Sequence, residues 1–121
     1  MDKSSICKIR DIYRAISTLE TQFESKFALN INEALLLCTL NEHAGSSSGE
    51  LAQSMGLSNS NMSKVIRSVE TKGLISRTFD SHDKRSIRFA LTVQGTQRLA
   101  EMNCNEIQLP ELLVPLVANN T

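Results

Sequence analysis

Between Ser58 and Arg67 the chain reads SNSNMSKVIR, a crowd of groups that make directional polar contacts: Ser58, Asn59, Ser60, Asn61, Ser63, Lys64 and Arg67. Two amides, several hydroxyls, an ammonium and a guanidinium form a donor-rich set. Asn can pair bidentately with adenine, Lys and Arg with guanine, and Ser with a phosphate or with either base. A solvated helix surface would account for any one of these residues taken singly. A second concentration, Asp80-Ser81-His82-Asp83-Lys84-Arg85, stands between two runs of alternating apolar residues. Closing a hairpin needs only two residues such as Asn-Gly. This loop is longer and more basic than closure demands.

Catalysis has no comparable footing. The chain holds no Gly-rich phosphate loop, no Ser/His/Asp order and no paired-carboxylate motif, so it is not expected to be an enzyme. His43 and His82 stand alone, and Cys38, Glu42 and His43 fall short of the roughly four ligands of a structural metal site. No metal or other cofactor is expected. Cys7, Cys38 and Cys104 are odd in number, widely spaced and without a CxxC pair. That usage suits a reducing, cytoplasmic setting.

Formal charge sums to zero, with 13 basic and 13 acidic side chains, but the distribution is uneven. Residues 1–57 carry five Lys/Arg against seven Asp/Glu, residues 58–88 seven against three, and residues 89–121 one against three. The resulting −2, +4 and −2 direct an anionic partner to the middle segment. No apolar run approaches the roughly 20 residues that cross a bilayer, and the start MDKSSICKIRDI lacks the apolar core of a signal peptide. No membrane association is expected.

The elements that must carry these residues follow from periodicity. Ile9, Tyr13, Ile16, Phe23 and Phe27, widened by Ile12 and Leu19, recur at helical spacing and predict one long helix over 5–27. Asn30 and Glu33 then offer a capping box for a helix that Gly45 stops. Ser47 and Glu50 repeat the signature before a short helix ending at Gly56. Ser58 caps the next helix, whose apolar face is Met62, Val65, Ile66 and Val69 and which Gly73 closes. Ala52 must be small where these two helices cross, Gly56 in the turn permits a positive φ, and Met62 fills the angle between them. Ile75, Arg77 and Phe79, then Ile87, Phe89 and Leu91, alternate as two strands anchored by Phe79, Ile87 and Phe89. Thr92 caps a last helix over about 93–103, and Pro110 and Pro115 break up the tail.

Helix, helix, turn, helix, hairpin and helix compose a mainly α fold with a small two-stranded β-wing, a winged helix-turn-helix. The run ELAQSMGLSNSNMSKVIRSVETKGLISR, with DKRSIRFALTVQG behind it, resembles the MarR family of bacterial regulators. The second stretch is similar to that family's D-[KR]-R wing followed by L-T-x-x-G. The resemblance covers about residues 30–103. It implies a transcriptional regulator, a repressor, that binds double-stranded DNA as a homodimer on a pseudo-palindromic operator and responds to a small-molecule effector. By the same resemblance Arg85 enters the minor groove, Asp83 holds it or the loop in place, Lys84 stands beside them at the wing tip, and Arg77 lies near the DNA backbone at the wing's base. One domain, 1–121, is expected, with 30–103 as the DNA-binding lobe and 5–27 and 104–121 as dimerisation segments. Two alternatives stay open: a winged helix that binds another polypeptide, and a thiol-based sensor using Cys7. Lys3, Lys8 and Arg10 would activate that thiol if they converge.

Overall fold

Asp2 accepts the Ser5 N–H at 2.8 Å and so starts α1 (Lys3–Phe27) two residues before the position that apolar spacing alone marks. The computed structural model describes residues 1–79, 86–104 and 109–117, with only the backbone of Asn103 and Cys104. After α1 come α2 (Ile31–Glu42), α3 (Ser48–Met55), α4 (Asn59–Thr71), β1 (Ile75–Phe79), β2 (Ile87–Leu91) and α5 (Val93–Cys104). A 3-10 turn (Glu111–Leu113) leads into the short α6 (Val114–Val117). The mainly helical fold with one small antiparallel sheet is the one expected. The described residues fall into two compact units, Met1–Asn30 with Glu106–Thr121, and Ile31–Asn105.

In the second unit, Leu36, Leu37 and Leu40 of α2, Leu51 and Ala52 of α3, Met62, Ile66 and Val69 of α4, and Leu99 of α5 are buried. Ser47 caps α3 in a complete capping box: its hydroxyl accepts the Glu50 N–H at 3.2 Å, and its own N–H donates to the Glu50 carboxylate at 3.1 Å. Gly56 takes φ +66°, a left-handed conformation costly for any residue with a Cβ. The Leu57 N–H can then turn back to the Ala52 carbonyl, 3.0 Å away. Gly56 thus has the positive φ expected of it, and Ala52 and Met62 are both buried. Ser58 caps α4 by accepting the Asn61 N–H at 3.1 Å.

Glu33 is buried, 3% exposed, and serves α4: its Oε2 accepts from Ser68 Oγ at 2.6 Å and from Lys72 Nζ at 2.7 Å. A buried carboxylate needs such partners. The contact ties α2 to the last turn of α4 across more than 30 residues of chain.

The strands pair from Ile75↔Leu91 to Phe79↔Ile87. Ser46 adds an isolated antiparallel bridge to Phe89, through Gly45 N–H to Phe89 O at 2.9 Å and Phe89 N–H to Ser46 O at 3.0 Å. A bridge of two bonds leaves no alternation in the sequence, which is why periodicity does not reveal it. Phe89 and Ile75 are buried, but Phe79 is 64% exposed and does not anchor the hairpin as expected. Of the strand residues, Ile75 and Phe89 alone are fully buried.

The L-T-x-x-G stretch is a joint between α4, the sheet and α5. Thr92 donates its N–H to Leu74 O at 3.0 Å and its hydroxyl to Gly73 O at 2.7 Å, while Thr92 Oγ1 accepts the Gly95 N–H at 3.0 Å. A Cβ on Gly95 would run into the Leu74 carbonyl oxygen. Glycine is required here for the close approach of two backbones.

In the first unit, α1 buries Ala15 and Phe27 and leaves Ile6, Ile9, Tyr13 and Ile16 exposed along one side. The rings of Phe23 and Phe27 meet at 5.7 Å. Among the described residues no helix is long and apolar enough to cross a membrane.

Candidate nucleic-acid interface

The amphipathic pattern of α4 sorts its side chains as periodicity requires: Met62, Ile66 and Val69 face the core, while Asn59, Ser60, Asn61, Ser63, Lys64 and Arg67 are exposed. Ser60, Lys64 and Arg67 follow at i, i+4 and i+7 and share one side of the helix. Ser58 is exposed at its start, with its oxygen already engaged as the cap.

The basic residues of segment 58–88 divide sharply. Lys72 is bound to Glu33 at 2.7 Å, Arg77 to Glu70 at 2.7 Å, and Arg88 approaches Glu50 at 3.5 Å while donating to Gly45 O at 2.9 Å. The side chains of Lys64 and Arg67 make no hydrogen bond or ion pair with any described residue. Two cations that no described residue neutralises therefore stand on the outward face of one helix, beside four polar side chains. Asp83, Lys84 and Arg85 lie outside the described residues.

Ser63 and Arg67 also line a cleft of about 410 Å³, closed by the N-terminus of α3 (Ser47, Ser48, Gly49) and by Arg77, Ser86, Ile87 and Phe89 of the hairpin. Sequence reasoning had no sign of this cleft, because its walls come from three stretches that only the fold brings together.

Arg77 is held more firmly than its position in an exposed strand suggests. Its Nε and Nη2 donate to Glu70 Oε2 and Oε1 at 2.7 and 2.9 Å, and its guanidinium carbon stands 5.6 Å from the centre of the Phe89 ring. Hydrogen bonding to Glu70, and then that carboxylate's charge, raise the Arg77 pKa above its ordinary value. Cys7 and Cys38 are free and exposed, and partial burial followed by the Glu42 charge pushes the Cys38 thiol up, away from reactivity.

An exposed polar helix packed by its apolar face across a tight turn, with a two-stranded hairpin beside it, defines a winged helix-turn-helix. The MarR family model matches residues 29–87 of this chain. No curated protein matches the chain in sequence. Among solved structures, the transcriptional regulator BldR from Sulfolobus solfataricus is 27% identical, with 97% of this chain and 83% of that one covered and a TM-score of 0.73. MepR of S. aureus, solved as a DNA complex, is 22% identical over 85% of this chain and 75% of its own, with a TM-score of 0.74. YusO from Bacillus subtilis is 21% identical over 85% and 77%, with a TM-score of 0.66.

Proposed function

We propose that this chain is a DNA-binding transcription regulator, acting as a homodimeric repressor on a pseudo-palindromic site and released by a small-molecule effector. The observation that carries the reading is the exposed face of α4, where no described residue neutralises Lys64 or Arg67 while Lys72, Arg77 and Arg88, which follow in the chain, are paired. Asn59, Ser60, Asn61, Ser63, Lys64 and Arg67 read the major groove, and Arg85 enters the flanking minor groove, with Asp83 holding it or the loop in place and Lys84 beside it at the wing tip. That MepR, a protein of the same fold, has been solved on DNA supports the reading.

Enrichment of duplexes from a random pool, followed by titration at two salt concentrations, tests it. Phosphate contacts give an affinity that falls steeply with salt. Failure to retain any duplex at low salt would leave the fold as a protein-interaction module.

A further inference from the structure

Glu70 is a negative charge in two unfavourable places. It sits in the last turn of α4, where the helix dipole disfavours an anion, and on the helix whose exposed cations are proposed to meet DNA phosphates. Its one evident use is Arg77. The two-pronged bond to Glu70 fixes the guanidinium plane, and that plane lies near the buried Phe89 ring of β2. Three elements, α4, β1 and β2, thus meet at one side chain.

We propose that the Glu70–Arg77–Phe89 cluster fixes the angle of the hairpin to α4, so that Arg77 is a positioning residue acting on DNA through the wing instead of a direct phosphate ligand. The inference rests on the DNA-binding reading above, but its mechanical half concerns the free protein alone. One N–H each of Nε and Nη2 is spent on Glu70 and its carboxylate offsets the guanidinium charge, so Arg77 meets a phosphate with three of its five N–H groups and a weakened charge.

Glu70→Gln separates the possibilities by sign. Electrostatics alone makes this variant bind DNA more tightly, because it removes an anion and frees Arg77. A positioning role makes it bind about tenfold more weakly, a loss equivalent to about 1.4 kcal/mol. Arg77→Lys keeps the charge but loses the fork, so it should fall by a similar factor. The double variant should be no worse than either single one. The duplex used is one enriched by the wild-type protein from a random pool. In the free protein, amide hydrogen exchange over 76–79 and 87–88 should quicken in both variants while the melting temperature stays within a few degrees.

Tighter or unchanged DNA binding by Glu70→Gln, additive losses in the double variant, or unaltered strand exchange would overturn the proposal. Should wild type retain no duplex, the DNA-binding reading fails, and the exchange measurement still decides whether the cluster holds the wing.

Discussion

At the scale of single residues, the side chains of Lys64 and Arg67 are distinguished from their basic neighbours by having no partner among the described residues, and each should act on DNA in its own way. Lys64→Ala should weaken all sequences alike and reduce the dependence of log affinity on log salt by about one. Arg67→Ala should relax discrimination at one base pair by about 1–3 kcal/mol. Binding isotherms on the preferred duplex and on single-base variants, at two salt concentrations, check both. Wild-type behaviour of the two variants would remove α4 from the interface. Which residues are exposed on α4 was legible in the sequence, because a helix with Met62, Ile66 and Val69 inward must present the rest outward. Which of the cations are free was not. Glu33 reaches Lys72 from another helix, and Glu70 reaches Arg77 across the turn at Gly73, so neither pairing follows from helical spacing.

At the scale of elements, the caps and the α4–α5 joint decide stability. Ser47→Ala should cost about 1 kcal/mol in urea denaturation, the usual loss for an N-cap hydroxyl. The other half of the box is pH-dependent. The Ser47 backbone N–H and then its hydroxyl hold the Glu50 carboxyl below its ordinary pKa of 4.5. A group whose folded pKa is depressed stabilises above the unfolded value and loses that contribution as pH falls through the folded one. Melting of wild type against Glu50→Gln should therefore differ at neutral pH and converge as the pH drops below about 4.5. Gly95→Ala is the severe change. The obstructed Leu74 carbonyl also accepts the Thr92 N–H, so it cannot swing away without breaking the joint, and the variant should lose at least about 1–3 kcal/mol. The capping signatures at Ser47, Ser58 and Thr92 were readable because short polar side chains before an apolar run have few other uses. Gly95 was readable only as part of a pattern. The reason for it, a second backbone pressed against its α-carbon, exists only after Leu74 has folded alongside.

At the scale of the whole molecule, the charge map drawn along the sequence changes once the chain folds. The middle segment's surplus of four is partly neutralised by Glu33 and Glu50, which belong to the acidic first segment. Positive potential contracts to α4, and to whatever Lys84 and Arg85 add. Assembly is the remaining question at this scale, and α1 bears on it most directly. Ile6, Ile9, Tyr13 and Ile16 follow at i, i+3, i+7 and i+10, and Tyr13 is 74% exposed, the least exposed of the four being Ile16 at 40%. Scattered apolar residues on a surface need no explanation, but an aligned stripe marks a surface that another body covers. Leu116 and Val117 of α6 are exposed as well. A second copy of the chain is the occupant that a two-fold DNA site requires. Sedimentation or light scattering should give twice the chain mass at roughly tens of micromolar, with the monomer gaining on dilution. Ile9→Asp combined with Ile16→Asp should shift the protein to monomer while leaving the melting of residues 31–105 near its wild-type value, because these side chains are outside that unit's core. The monomer should then bind a half-site with little preference for the full palindrome, since it loses the second half-site's contacts. A wild-type chain that stays monomeric at tens of micromolar, with and without its preferred duplex, would show that the stripe on α1 serves some other partner.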